Sequence, residues 1–171
     1  MAAFATLDWT RFDVWAVVVG RGIATIEPPT APHCADWLAR EGYRVVRLDF
    51  SHGIGSAVVH LGELFHWRDQ FGYDLTPQSR SLDALRDGFG FEAVASGMGV
   101  ALLLQSFHLA WAEDGRWGRG FLEIAAEHSL RKLAVGRRFL TVIVVPDESS
   151  PLIGQELEGH AIPAAYPGAF R

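Results

Sequence analysis

Cysteine, excess positive charge and long apolar runs are all missing or scarce in this chain of 171 residues. Cys34 is the only cysteine, so no disulfide can form within the chain, and nothing indicates an oxidising compartment. The chain has 15 Lys and Arg against 20 Asp and Glu, and its formal charge of -5 does not support a broad grip on nucleic-acid phosphates. A basic protein is therefore a better-matched partner than a nucleic acid.

The sequence also lacks the features of a targeting signal or a membrane anchor. The N-terminal residues have no basic region and include Asp8 and Asp13, and the apolar run that follows covers only residues 14–19. A membrane-spanning helix needs about 20 apolar residues. These features predict a cytoplasmic protein that has no membrane partner.

The patterns of a metal centre and of a catalytic cysteine are incomplete. His60, Glu63 and His66 are spaced by three residues on one predicted helix, which is not the zinc-protease spacing and places the two histidines poorly for one tetrahedral centre. Cys34 lies beside His33 in sequence but has no positioned third group. We therefore expect no bound metal and no catalytic cysteine.

Gly53 and Gly55 lie between a predicted strand and a predicted helix, where a dinucleotide-binding loop would begin. Val58 occupies the position of the third glycine, and no Gly-Lys-Ser/Thr sequence follows. An ordinary turn between a strand and a helix is the better interpretation. The sequence thus predicts no cofactor, and we expect that the chain is not an enzyme.

Apolar runs and helical spacing alternate along the chain, which predicts an α/β fold with a mostly parallel β-sheet flanked by helices. The apolar run at residues 100–107 is typical of a strand covered on both faces, so this strand should be central. The other predicted strands are residues 43–50 and 139–145, and the predicted helices are residues 56–70, 82–89 and 120–134.

Segments at the two ends of the chain lie outside this pattern. β-branched runs at residues 14–19 and 23–26, separated by a Gly-Arg-Gly turn, predict a β-hairpin at the sheet edge, with a helix at residues 33–41 after it. The tail after Pro146 has no usable period and is predicted to be irregular. We expect a single domain, 1–171, with a core at about 43–145, an N-terminal extension at 1–42 and a C-terminal tail at 146–171.

Asp83 and Asp87 are four residues apart on the predicted helix 82–89, so their carboxylates share one face, while Leu82, Leu85 and Phe89 face the core. The two negative charges repel each other. Asp83 lies near the positive end of the helix dipole, whereas Asp87 lies near the negative end. A solvated helix face is one interpretation of this pair, and a contact site for a cationic partner is the other.

The sequence Ser-Leu-Asp-Ala-Leu-Arg-Asp-Gly-Phe at residues 81–89 is similar to a segment of a known family. With the strand at 100–107, the helix from Gly120 and the strand at 140–144, it resembles the barstar family, the intracellular inhibitors of the ribonuclease barnase. Leu-Asp-Ala-Leu-x-Asp is the most recognisable motif of that family. The resemblance covers about residues 43–145 and implies a barstar-like sheet with flanking helices.

The resemblance also implies a partner-binding surface. Asp83 and Asp87 match the two aspartates that enter the ribonuclease active site, where the counterpart of Asp87 mimics a substrate phosphate. Glu127 matches a glutamate on the last helix that also reaches the enzyme. Arg86 and Tyr73 complete the set of residues that we expect to contact the partner.

Three departures from the family pattern affect this surface. Arg86 stands where the family has an interface tryptophan, the acidic position after Glu127 falls near Arg131, and the loop 72–80 is longer. The implied function is an inhibitor or immunity protein, monomeric when free, that blocks a basic extracellular-type ribonuclease or a similar nuclease toxin. Two alternatives stay open: the fold serves a different protein partner, or the chain is a small hydrolase that uses Asp and His.

Overall fold

Four parallel strands form one sheet in the computed structural model, which describes residues 10–89, 99–166 and 168–170. The strands are β1 Ile23–Ile26, β2 Tyr43–Asp49, β3 Gly99–Gln105 and β4 Arg138–Val144. Their order across the sheet is β1-β4-β3-β2, so β3 pairs with β2 on one side and with β4 on the other. The prediction of neighbouring parallel strands around a central third strand is confirmed.

Helices cover both faces of this sheet. The α-helices of the described residues are α1 Phe12–Gly20, α2 Ala31–Arg40, α3 Ile54–Leu64, α4 Trp67–Phe71, α5 Leu82–Gly88, α6 Phe107–Glu113 and α7 Gly115–Ala134. α1 and α2 pack on the face that carries Ala101 and Leu103 of β3. α3 to α7 pack on the opposite face, which carries Val100, Leu102 and Leu104. The predicted α/β architecture is therefore confirmed. A separate finding is that no helix in the described ranges has the length and apolar character that a membrane crossing requires.

Residues 12–20 form the helix α1, so the predicted N-terminal β-hairpin is wrong. Phe12, Ala16 and Gly20 are buried, whereas Val18 and Val19 are exposed. The β-branched residues fit a strand by composition, but their burial follows the helical period of about 3.6 residues. β1 does extend the edge of the sheet, as a single strand that pairs in parallel with β4.

Other helix bounds also differ from the predicted ones. The helix predicted at residues 56–70 is divided into α3 and α4, because His66 between them has a left-handed backbone with a φ of 50°. The helix predicted at 120–134 begins earlier, at Gly115, where the Asp114 side chain accepts a hydrogen bond from the Trp117 N–H at 3.0 Å. These differences leave the order of strands and helices unchanged.

The described residues of the C-terminal tail form a short sheet and buried contacts, although the sequence predicted an irregular segment. It contains a short antiparallel pair, β5 Glu156–Leu157 and β6 His160–Ala161. Leu152, Leu157 and Ile162 are fully buried in the core on the face covered by α3 to α7. The tail was missed because these apolar residues are single and are spaced without a regular period.

The end of the tail covers the free edge of β1. The Thr25 N–H donates to the Pro163 carbonyl, and the Ala165 N–H donates to the Thr25 carbonyl, both at 2.9 Å. Tyr166 and Phe170 then pack on the face covered by α1 and α2. The tail thus passes around β1 from one face of the sheet to the other, and it pairs the edge groups that would otherwise be open.

A buried carboxylate joins the starts of α1, β2 and β4. Asp13 is fully buried and accepts hydrogen bonds from Nε and Nη2 of Arg11, at 3.1 Å each, and from the Tyr43 hydroxyl at 2.7 Å. Arg138 also donates to this carboxylate. Burial alone would raise the pKa of Asp13, but the hydrogen bonds from Arg11 and Tyr43 and the charge of Arg138 hold this pKa below its usual value.

Asp13→Asn should lower the free energy of unfolding by about 3 kcal/mol at neutral pH, because it leaves two guanidinium groups without their shared carboxylate. Since the folded-state pKa of Asp13 is lowered, its contribution is present above the unfolded-state pKa and is lost as the pH falls through the folded-state value. The difference between wild type and variant should be largest above about pH 5 and should shrink below about pH 4. Urea unfolding at several pH values measures both effects.

Glu41→Gln is the matched control, because Glu41 also pairs with Arg11, at 2.8 Å, but is partly exposed. This variant should cost less than about 1 kcal/mol. Equal losses for the two variants, or a loss for Asp13→Asn that does not depend on pH, would contradict the role assigned to Asp13.

Candidate functional site

The acidic helix predicted from the sequence is present as α5, in the connection between β2 and β3. The Ser81 hydroxyl caps its start by accepting a hydrogen bond from the Ala84 N–H at 3.3 Å. Leu85 and Phe89 are buried, whereas Asp83 and Asp87 are exposed. The helix therefore presents its two carboxylates to solvent from a fixed apolar base.

Glycines bring neighbouring helices close to both ends of α5. A Cβ atom on Gly120 of α7 would lie 2.4 Å from Cδ1 of Leu82, at the start of α5. A Cβ atom on Gly88, at the end of α5, would lie 2.4 Å from Cζ3 of the Trp67 ring. Both separations are far below van der Waals contact. Only at Gly88 does the neighbouring atom belong to a rigid ring, so that approach depends on a residue without a side chain, whereas the end of the Leu82 side chain can rotate. α5 is thus held between α7 and α4.

Glu113 fixes the chain that leads into α5. One of its carboxylate oxygens accepts a hydrogen bond from the Ile54 N–H at 3.0 Å, at the start of α3, and the other pairs with Nη2 of Arg80 at 2.6 Å. These interactions, the Ile54 N–H first and then Arg80, lower the pKa of Glu113. Gly53 allows the approach, because a Cβ atom there would lie 2.9 Å from the Glu113 carboxylate.

Contacts with Glu113 and Pro77 explain why the chain has Gly53 and Gly55 at this turn. The carboxylate occupies the N-terminus of α3, the place where a phosphate would lie in a dinucleotide-binding loop. A Cβ atom on Gly55 would lie 2.7 Å from the Pro77 carbonyl oxygen, so Gly55 is needed to seat the loop before α5. The turn at residues 51–55 therefore has a structural explanation.

The charged side chains on and near α5 fall into an ion-paired group and a pair of aspartates without ion pairs among the described residues. Among the described residues, neither Asp83 nor Asp87 forms an ion pair. Arg86 instead lies with its Nε 3.4 Å from an oxygen of Glu127 on α7, and Arg131 pairs with the other oxygen of Glu127 at 2.5 Å. One carboxylate is thus shared by two guanidinium groups, whereas the two aspartates have no cationic partner in the part of the chain that the structure describes.

Tyr73 lies beside α5 at the edge of an aromatic cluster. Its ring centroid is 6.2 Å from that of Trp67 and 6.4 Å from that of Phe71, and about half of the residue is exposed. Tyr73, Ala84 and Leu85 line the same groove, which has a volume of about 280 Å³. The structure therefore places all five expected contact residues on or next to α5.

The side chains considered for metal binding and nucleophilic chemistry are not arranged as a site. His60, Glu63 and His66 are all exposed on α3 and the turn after it. Within the described ranges, no group of three or more His, Cys, Asp and Glu side chains could hold a metal ion. Burial raises the pKa of the Cys34 thiol to about 12. Because the thiolate is the reactive form, this buried thiol is an inert core side chain.

No protein-family model, no curated protein and no solved structure matches this chain. The geometry of α5 and its surroundings, together with the motif at residues 81–89, therefore has to support any functional proposal.

Gly88→Ala should lower the free energy of unfolding by about 2 kcal/mol, because the added methyl group meets the rigid ring of Trp67. This loss should outweigh the gain of about 1 kcal/mol that alanine brings to a helix. Urea unfolding measures the difference.

Gly120→Ala is the matched control. The atom that it meets is the end of the Leu82 side chain, which is half-buried and can rotate away, so the variant should be close to wild type in stability. If Gly88→Ala were as stable as wild type, the position of α5 would not depend on this contact.

Proposed function

We propose that this chain is a barstar-like intracellular inhibitor, which binds a basic ribonuclease or a similar nuclease toxin and blocks its active site with α5. The observation that carries the proposal is a pair of exposed aspartates, without ion pairs among the described residues, on a helix that packs between α7 and α4. Binding groups fixed before association lose little conformational entropy on binding, so a rigid helix favours affinity. The motif at residues 81–89 supplies the link to ribonuclease inhibitors.

The chemistry of a ribonuclease active site suits this surface. An enzyme that binds RNA phosphates presents Lys, Arg or protonated His in a cleft. A carboxylate that enters such a cleft accepts charge-assisted hydrogen bonds and takes the place of a substrate phosphate. Asp87 is the proposed centre of this contact, and Asp83, one turn earlier on the same face, is proposed to contact the rim.

Arg86 is compatible with an acidic surface because of Glu127. An arginine between the two aspartates could neutralise them, but its guanidinium is paired with Glu127 on α7. The same contact changes the expectation for Glu127, whose charge is already shared by Arg86 and Arg131. We therefore propose that Asp87 and Asp83 carry the attraction for a basic partner and that Glu127 acts mainly by holding Arg86.

The alternative of a hydrolase has less support from the site. General acid–base catalysis is favoured by a carboxyl group that is enclosed in a pocket with its substrate, whereas both aspartates are exposed on the outer face of α5. A different protein partner is the stronger alternative. Arg86 and Arg131 together carry one positive charge more than Glu127 neutralises, and this would suit a partner surface that carries both signs of charge.

Asp87→Ala should weaken binding of the partner by about 30-fold or more, because it leaves desolvated cations of the partner unpaired. The immobilised chain is used to capture proteins from the cells and culture medium of its native organism. The ribonuclease activity of the retained fraction is then titrated with wild type and with variants. Wild type should abolish this activity at a stoichiometric ratio.

Asp83→Ala should have a smaller effect, and Asp69→Ala is the control, because Asp69 is a highly exposed aspartate on α4 outside the proposed surface. The folded state should keep its stability in all three variants. Retention of the same ribonuclease by Asp87→Ala with unchanged affinity would reject the proposed site. A retained protein without nuclease activity would instead favour a different partner.

Association with the captured ribonuclease should depend strongly on salt. An increase from about 0.05 to 0.5 M salt shortens the Debye length several-fold and should slow association much more than it speeds dissociation. Surface plasmon resonance with the immobilised chain measures the two rates separately. An association rate that does not change with salt would indicate a mainly apolar interface.

A further inference from the structure

A crevice lies at the carboxyl ends of β1 and β4, away from α5. β1 leads into α2 on one face of the sheet, whereas β4 leads into the tail, whose Leu152 and Leu157 pack on the opposite face. The chain segments that follow these two adjacent strands thus diverge. In open parallel sheets, ligands bind in the crevice at such a divergence, outside the carboxyl ends of the strands.

The crevice is a formed cavity with a mainly apolar lining. Its volume is about 370 Å³, within the range of pockets for small organic molecules. The buried side chains of Ile26 and Val145 lie at the strand ends, and Ile153, Tyr166 and Phe170 contribute half-buried surface. The Tyr166 hydroxyl donates to the Thr10 carbonyl at 2.7 Å, so its ring is held in place.

The charged groups of the lining are mostly of one sign. Glu27, Glu148 and His33 line the crevice and are exposed, and no Lys or Arg is found among its described lining residues. Within the described part of the chain, Glu27 and Glu148 have neither an ion pair nor a side-chain hydrogen bond. Two carboxylates that have no cation within the described residues therefore line the same crevice as two aromatic rings, whose faces also attract cations.

From this arrangement we propose that the crevice binds a small organic cation, an ammonium group attached to a compact apolar body. The ammonium group lies near Glu27 and Glu148, and the apolar body fills the space beside Ile26, Val145 and Ile153. A carboxylate or phosphate ligand would be repelled by the same two glutamates. The proposal concerns a surface separate from α5 and does not depend on the inhibitor function.

Three probes that share a phenyl group separate charge from shape: phenethylammonium, the neutral 2-phenylethanol and the anion 3-phenylpropionate. Each is titrated into the ¹⁵N-labelled full chain and followed by two-dimensional NMR. Phenethylammonium should shift amide signals of the non-proline residues in 25–33, 145–153, 164–166 and 168–170. The alcohol should bind several-fold more weakly, and the anion should not bind. The absence of shifts in these segments with phenethylammonium, or equal binding of the alcohol, would overturn the proposal.

The variant Glu27→Gln combined with Glu148→Gln tests the charges directly. Both residues are exposed, so the fold should persist, and binding of phenethylammonium should weaken about fivefold or more. Glu156→Gln, which removes an exposed tail carboxylate outside the crevice, should leave binding unchanged. Asp87→Ala should also leave it unchanged. Unaltered binding in the double variant would show that the glutamates do not recognise the cation and would reject the proposal.

Discussion

The side chains of the central strand β3 from Val100 to Leu104 are all buried, alternately on one face of the sheet and on the other. A parallel sheet of this kind cannot leave either face open to water, so other segments must cover both. The chain between β2 and β4 supplies α3 to α7, which cover one face only. Residues 10–42 supply α1 and α2 for the opposite face and the edge strand β1, so this described part of the N-terminal segment belongs to the core.

Polar contacts fix the position of α1 and of the tail against the sheet, because hydrogen bonds are directional and apolar contacts are not. The Asp13 carboxylate connects Arg11 to Tyr43 of β2 and Arg138 of β4, so it sets the position of α1 against the amino ends of two strands. At the edge of the sheet, backbone hydrogen bonds of Thr25 attach the tail to β1. Asp83 and Asp87 on the outer face of α5 form no such contact within the described residues, so that face is available for recognition.

Sequence reasoning succeeded where a signal was local and failed where the cause was distant. The strands around β3 were predictable because buried parallel strands are short apolar runs between glycines and prolines. α5 was predictable because Ser81 is a typical N-cap residue and the apolar residues that follow it have helical spacing. Residues 14–19 were misassigned because β-branched residues fit a buried helix face as well as a strand. The Asp13 contacts and the close approaches at Gly88 and Gly120 join segments far apart in sequence. From the sequence alone, a glycine within a helix indicates only lower helix stability, because the residue that packs against it is unknown.

The charges of α5 are arranged against stability at one position. Asp83 lies in the first turn, where the helix dipole favours a negative charge, but Asp87 lies in the last turn, where the dipole opposes it. A cation at position 87 would suit the isolated helix better, and the nearby Arg86 and Arg131 are engaged by Glu127. Within the described residues, the unfavourable charge therefore has no compensating cation, and it lies at the residue proposed to enter a cationic cleft. Because nothing in the described fold requires a carboxylate there, its presence supports the proposal of a partner that supplies the missing cation.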